Sequence, residues 1–103
     1  GTTGEAILGG QMVEKIRIKD GAGSEEIPCA GVFAYIGLKP NSDFLPADVK
    51  RDANGFVATG DALETSVSGL WAVGAVRSGC GGSLEDAMAE ARRAAEAVAA
   101  RLK

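Results

Sequence analysis

The sequence contains no histidine. A Ser-His-Asp triad and an imidazole-bound zinc site are therefore excluded within this chain. It has only two cysteines, Cys29 and Cys80, too far apart for a C-x-x-C redox pair or a metal knuckle. They read as small, reduced, partly buried thiols, since free cysteine packs like a small hydrophobe. A structural disulfide is not expected, because no basic region followed by an apolar stretch marks a secretory signal. No apolar run approaches the roughly 20 residues that span a bilayer, so no membrane partner is expected. Positive charge is also scarce: 11 Lys and Arg against 14 Asp and Glu, a net charge of -3. Without a basic cluster there is nothing to neutralise phosphates, so no nucleic-acid partner is expected. An initiator methionine is missing as well, and the expectation is an excised piece of a longer, cytoplasmic protein.

Against these absences stand 46% hydrophobic and 24% charged residues, ordinary values for a globular chain, and 15 glycines. The glycines sit between apolar runs and punctuate them. Gly9-Gly10 separates a strand over Gly4–Leu8 from a second over Met12–Lys19. In the second, Ile16 and Ile18 alternate with Lys15, Arg17 and Lys19, the period of a half-buried strand. Asp20 to Ser24 is a turn by composition. Glu25 to Cys29 returns antiparallel, and Pro28, which donates no backbone hydrogen bond, confines it to an edge.

Gly31-Val32-Phe33-Ala34-Tyr35-Ile36-Gly37 changes character. It is apolar throughout and reads as a strand covered on both faces, as in a parallel α/β sheet, with Tyr35 in the core. Asp43-Phe44-Leu45 is expected as a single helical turn. Asp52-Ala53-Asn54-Gly55 is a tight turn with Asn-Gly suited to positive φ, and Phe56–Thr59 a short strand after it. Leu70-Trp71-Ala72-Val73 reads as a second buried strand, with Trp71 in the core. The carboxy-terminal stretch is alanine-rich and helical from about Leu84 to about Arg101. Leu84, Met88, Ala91, Ala95, Val98 and Leu102 form its expected inward stripe, packed on Val32–Ile36 and Leu70–Val73. Ser83 and Asp86 make a shortened capping box at its start. Glu85 and Asp86 at the positive end of the helix dipole and Arg101 and Lys103 at the negative end agree with this span. The fold class is α/β, with an amino-terminal β-meander and one long carboxy-terminal helix.

Chemistry concentrates where the second apolar run enters a loop with four glycines between Gly74 and Gly82 and then the helix. Free N–H groups at a helix start favour a phosphate or an electron-rich ring, and glycine lets a ligand approach the backbone. A plain strand-to-helix connection fits the same residues, since the spacing is neither G-x-G-x-x-G nor a P-loop. Arg77, the only charge in the loop, suits an anion or a solvated surface equally.

Two segments resemble a known family. Gly31-Val32-Phe33-Ala34-Tyr35-Ile36-Gly37-Leu38-Lys39-Pro40-Asn41 is similar to the G-h-F-h-x-I-G-x-x-P-N segment of thioredoxin reductases and their relatives. Glu64-Thr65-Ser66-Val67-Ser68-Gly69-Leu70-Trp71-Ala72-Val73-Gly74-Ala75-Val76-Arg77 is similar to their second flavin motif, E-T-S-V-P-G-h-F-A-A-G-D-h-R. Together the motifs resemble the pyridine nucleotide-disulfide oxidoreductases, most closely the low-molecular-weight thioredoxin reductase branch. The resemblance implies a fragment of a FAD/NAD(P)-binding, Rossmann-like fold. Residues 1–30 would be the end of the NAD(P)H domain, and residues 31–103 the carboxy-terminal portion of the FAD domain. In such enzymes NAD(P)H reduces FAD, which reduces a cysteine pair and, through it, a thioredoxin-like or other redox partner.

The resemblance also implies the cofactor-binding set. Gly74, Ala75, Val76 and Arg77 would lie along the ribityl chain, and Gly82, Ser83 and Leu84 would turn backbone N–H groups toward the isoalloxazine. Two positions depart from the pattern. Ala75 replaces the motif's aspartate, and Gly82-Ser83 replaces an Arg-Gln pair. The pyrophosphate fingerprint, the nicotinamide dinucleotide fingerprint and the redox cysteine pair are absent. The parent is therefore expected to be an enzyme and the isolated chain not to be one, holding no catalytic residue, no metal and no FAD of its own. A flavin-less nucleotide-fold module kept for protein interaction is the alternative. Uncovered apolar runs in the isolated chain imply a homodimer.

Overall fold

A computed structural model describes all 103 residues, which divide into two compact units, Gly1–Gly37 and Leu38–Lys103. The first unit is a three-stranded antiparallel meander in the order β1 (Thr3–Leu8), β2 (Lys15–Asp20), β3 (Gly23–Pro28). All three expected strands are present, and Pro28 ends an edge strand, where its missing N–H leaves no gap in the ladder. Asp20 faces Gly23 across a two-residue turn. Its carboxylate accepts from the N–H groups of Ala22 and Gly23 at 2.8 and 3.1 Å. Glu26 on β3 pairs with both Lys15 and Arg17 on β2, so opposite charges meet directly across the strands. At the β1–β2 connection only glycine fits position 9, since a Cβ there would stand 1.9 Å from the Met12 carbonyl oxygen.

No residue of this unit is buried. The expected buried strand over Gly31–Gly37 is not formed: the segment pairs with no strand and is mostly exposed. Phe33, Tyr35 and Ile36 are 83%, 91% and 97% exposed, so Tyr35 is not a core residue. A parallel strand exists only through its neighbours' hydrogen bonds, and the unit supplies none for this one.

The second unit is irregular chain wrapped against one helix, α1 (Leu84–Arg101). Its core is small: Val49, Val57, Leu63 and Ala94, with the polar Ser42 and Glu90. Arg51 ties the loops by donating to the carbonyls of Ser42, Leu45 and Val49. The Asp52–Gly55 turn forms as expected, with Gly55 at φ 88° and the Asp52 carboxylate accepting from the N–H groups of Asn54 and Phe56. Three expectations need correction. Asp43–Leu45 is a hydrogen-bonded turn rather than a helical one, closed by Leu45 N–H on Ser42. Phe56–Thr59 contributes only bridges at Val57. Leu70–Val73 is not a buried strand: Trp71 makes a single antiparallel bridge to Glu64, Leu70 is on the surface and the rest are half-buried.

The helix runs over the expected span, and Ser83 Oγ accepts from Asp86 N–H while the Asp86 carboxylate accepts from Ser83 N–H. Its inward stripe is different. Ala87, Glu90, Ala94, Ala97 and Val98 face the unit, whereas Leu84, Met88 and Leu102 are 77%, 52% and 82% exposed, and Ala91 and Ala95 are exposed too. The helix packs on the 3₁₀ turn Gly74–Val76. A Cβ on Gly74 would meet the Ala87 methyl at 3.5 Å, so the buried glycine and the small Ala87 lie side by side where turn and helix pack. Apolar periodicity locates the greasiest stripe of a helix, and in this chain that stripe faces outward.

Candidate functional site

The glycine loop is built from the backbone upward. Gly74 is buried and sits at φ 79°, a conformation that strains any residue with a Cβ. Arg77 N–H donates to Gly74 C=O at 2.9 Å and closes the 3₁₀ turn. Val57 holds the loop from the opposite side: its N–H donates to Val76 C=O and its C=O accepts from Ser78 N–H, both at 2.8 Å. Ser78 Oγ donates to the Asp52 carboxylate at 2.7 Å and, as the largest influence, holds that carboxyl below its ordinary range.

Glu90 joins the loop to the helix. One carboxylate oxygen accepts from Gly74 N–H at 2.8 Å, and the other forms an ion pair with the Arg77 guanidinium. The Arg77 and Glu90 side chains are 14% and 8% exposed, so this pair is largely shielded from water. The bond to Arg77 pushes the Glu90 carboxyl below, and the bond to Glu90 pushes the Arg77 guanidinium above, their ordinary values. Arg77 also donates to Ser78 C=O at 2.6 Å, and its Nε is buried without a partner. The loop's one cation is thus neither solvated nor free for an outside anion.

The remaining site residues lie on the surface. Ala75 is exposed and Val76 half-buried. Gly82 has φ 84°, and a Cβ there would stand 3.0 Å from Leu38 Cδ1. Gly82, Ser83 and Leu84 are exposed at the start of α1. Val76 N–H belongs to the 3₁₀ turn, whereas the N–H groups of Ala75, Gly82 and Leu84 have no acceptor within the chain and that of Ser83 is taken by Asp86 at 3.3 Å. Ala75, Gly82 and Leu84 thus offer backbone donors, with the Asp86 carboxylate seated on the intervening Ser83 N–H. An electron-rich, planar or phosphorylated ligand suits such donors.

Sequence reasoning missed Glu90, Asp52 and Val57. Glu90 was legible in one respect, as the acidic member of the otherwise small-residue stripe Ala87, Glu90, Ala94. The other two act through backbone and long-range contacts that leave no local pattern. Cys29 and Cys80 are free and half-buried. At the far end of α1, Arg101 pairs with Glu64, donates to Ser68 Oγ at 2.7 Å and covers the Trp71 ring at 5.5 Å, an arrangement that stabilises packing. A groove of about 640 Å³ lies elsewhere, in the first unit between β1, Ile16 and the Val32–Ile36 segment. Its lining is mostly apolar, with Thr2, Thr3 and Glu5 among the residues along it.

Comparison with known proteins gives this geometry a context. The pyridine nucleotide-disulphide oxidoreductase family matches residues 2–100. The chain is 39% identical over 79 residues to a thioredoxin reductase of Treponema pallidum (strain Nichols), covering 75% of this chain and 25% of that protein. It is 39% identical over 75 residues to a thioredoxin reductase of Chlamydia pneumoniae, covering 69% of this chain and 24% of that protein. Among solved structures, T. acidophilum thioredoxin reductase superposes with a TM-score of 0.75 at 31% identity, over 94% of this chain and 33% of that one. The chain therefore spans only about a quarter of the length of the Treponema and Chlamydia relatives.

Proposed function

The chain belongs to the pyridine nucleotide-disulphide oxidoreductase family, and from that premise we propose that it forms the carboxy-terminal FAD-domain portion of a thioredoxin-reductase-like flavoprotein. Residues 1–30 close its NAD(P)H-binding domain, and residues 31–103 return the chain to the FAD domain. The observation that carries this reading is the set of unpaired N–H groups at Ala75, Gly82 and Leu84, between a buried glycine turn and a capped helix start. These residues fit a flavin through main-chain donors. Bound FAD would supply the two-electron relay between NAD(P)H and a disulfide or other acceptor.

The chain's own residues bind and orient. Gly74, Ala75, Val76 and Arg77 line the ribityl chain, with Arg77 acting through main chain because its guanidinium belongs to Glu90. Gly82 and Leu84 present N–H groups to the electron-rich edge of the ring, and Ser83 holds the helix start that aims them. None of them moves a proton or carries a redox thiol, so the chain is not catalytic alone. The longer protein is cytoplasmic and dimeric and passes electrons to a thioredoxin-like or other redox protein. No helix is long and apolar enough to cross a membrane.

One observation favours a second reading, a flavin-less module kept for protein interaction: Ala75 is exposed and offers no side-chain acceptor where the motif has aspartate. The absorbance of the longer protein carrying this chain separates the two. Visible flavin bands, present as purified or after reconstitution with FAD, are expected. A colourless protein that takes up no FAD overturns the flavoprotein reading.

A further inference from the structure

Glu90 is the charged residue that the core of the second unit takes in, at 6% exposure. Burying a carboxylate and a guanidinium together costs several kcal/mol before their attraction is counted, and an apolar pair of the same size often serves stability as well. The arrangement asks for another reason, and the geometry provides it. The two carboxylate oxygens reach different ends of one short turn. Oε2 takes the N–H of Gly74, the buried glycine that opens it, and Oε1 takes the guanidinium of Arg77, whose N–H closes it. Without Glu90 the Gly74 N–H would be a buried donor with no acceptor. Val57 binds the outgoing half of the loop, at Val76 and Ser78, and does not reach Gly74.

We infer that Glu90 is a positioning residue that clamps both ends of the Gly74–Arg77 turn from the helix side and so sets the shape in which the turn's free N–H group meets flavin; this rests on the flavoprotein reading above. Ala75, between the clamped ends, has a free N–H group and no side-chain acceptor, so its direction follows from the turn's shape. The lowered carboxyl of Glu90 agrees with a group held ionised for this purpose.

The test compares Glu90→Gln, Glu90→Asp and Glu90→Ala with the unaltered longer protein. Amide hydrogen exchange is read at Gly74, Val76 and Arg77, the hydrogen-bonded amides of the turn, and FAD dissociation and visible flavin circular dichroism are read alongside. Glutamine keeps an acceptor for Gly74 but loses the ion pair. Its expected effect is intermediate, about tenfold weaker FAD binding, against about a hundredfold for alanine, as befits losing one or both charge-assisted hydrogen bonds. Exchange at the three amides rises in the same order, and the flavin dichroism changes shape. Arg101→Ala, which removes an ion pair at the other end of α1, serves as a control and leaves both readouts unchanged. On substitution, a merely stabilising Glu90 would lower the unfolding midpoint while leaving the folded protein's exchange at these three amides and its flavin dichroism as they were, and that result overturns the inference. So does faster exchange with unaltered FAD affinity. A parent that binds no flavin defeats the flavoprotein reading, while the exchange data still judge the clamp. Should alanine prevent folding, the glutamine and aspartate variants decide.

Discussion

Leu63 is fully buried yet holds φ 64°, the only non-glycine residue with positive φ. A left-handed leucine costs about 1–2 kcal/mol, which burial of its side chain must exceed. Leu63→Ala is expected to destabilise by about 2–4 kcal/mol through the cavity it leaves. Leu63→Gly loses slightly more apolar volume but relieves the backbone, so urea denaturation should find it no less stable than the alanine variant. A glycine variant well below alanine would show that the strain is not there. At Glu90 the sign of the pH effect is fixed by its lowered carboxyl. Its stabilising contribution is complete above the unfolded glutamate value of about 4.3 and is lost as pH falls through the lower folded value. Arg77, raised, stays charged throughout. Glu90→Gln should therefore narrow the stability difference from the unaltered protein as pH drops below about 4.3, measured as the urea midpoint against pH.

At the scale of the element, α1 depends on its first turn. The capping box satisfies two N–H groups that the helix itself leaves open. Ser83→Ala should cost about 1 kcal/mol, seen in urea unfolding followed by far-ultraviolet circular dichroism. Asp86→Ala should cost less, since the Ser83 hydroxyl still caps. Equal losses would mean that the reciprocal bond from Asp86 to Ser83 N–H, long at 3.3 Å, matters as much as the cap itself. The meander is less vulnerable to single changes, because its strands are held by backbone ladders and by Glu26 shared between Lys15 and Arg17.

At the scale of the molecule, apolar side chains are left without cover. Phe33, Tyr35 and Ile36 stand out from the first unit, and Leu84, Met88 and Leu102 from the second. Uncovered apolar patches with an unpaired extended segment favour association with another chain. The isolated 103-residue chain is expected to be a dimer or larger in light scattering at low micromolar concentration. A well-folded monomer of 10.4 kDa would show that these faces need no partner. The same chain is expected to bind FAD poorly, because the proposed donors reach only the flavin edge and the ribityl chain and its sequence has no pyrophosphate fingerprint. Tight micromolar binding in a fluorescence titration would contradict this.

What the sequence determined by itself was whatever neighbours along the chain decide. Alternation in Lys15–Lys19, the Asp20–Ser24 and Asp52–Gly55 turns, the Pro28 edge, and the span and cap of α1 all depend on residues within four or five positions of one another. The family was legible because its motifs are contiguous. The tertiary structure alone decided which helix face turns inward, because Glu90 on that face is bound to Gly74 and Arg77 of the loop, while Leu84 and Met88 find no partner surface. It alone decided that Val32–Ile36 lies uncovered, since a buried strand requires neighbours whose presence no run of apolar residues guarantees. Glu90 shows the same division. Its place on the helix follows from sequence, but its role depends on Gly74 and Arg77, sixteen and thirteen residues away, and only folding brings them to one carboxylate.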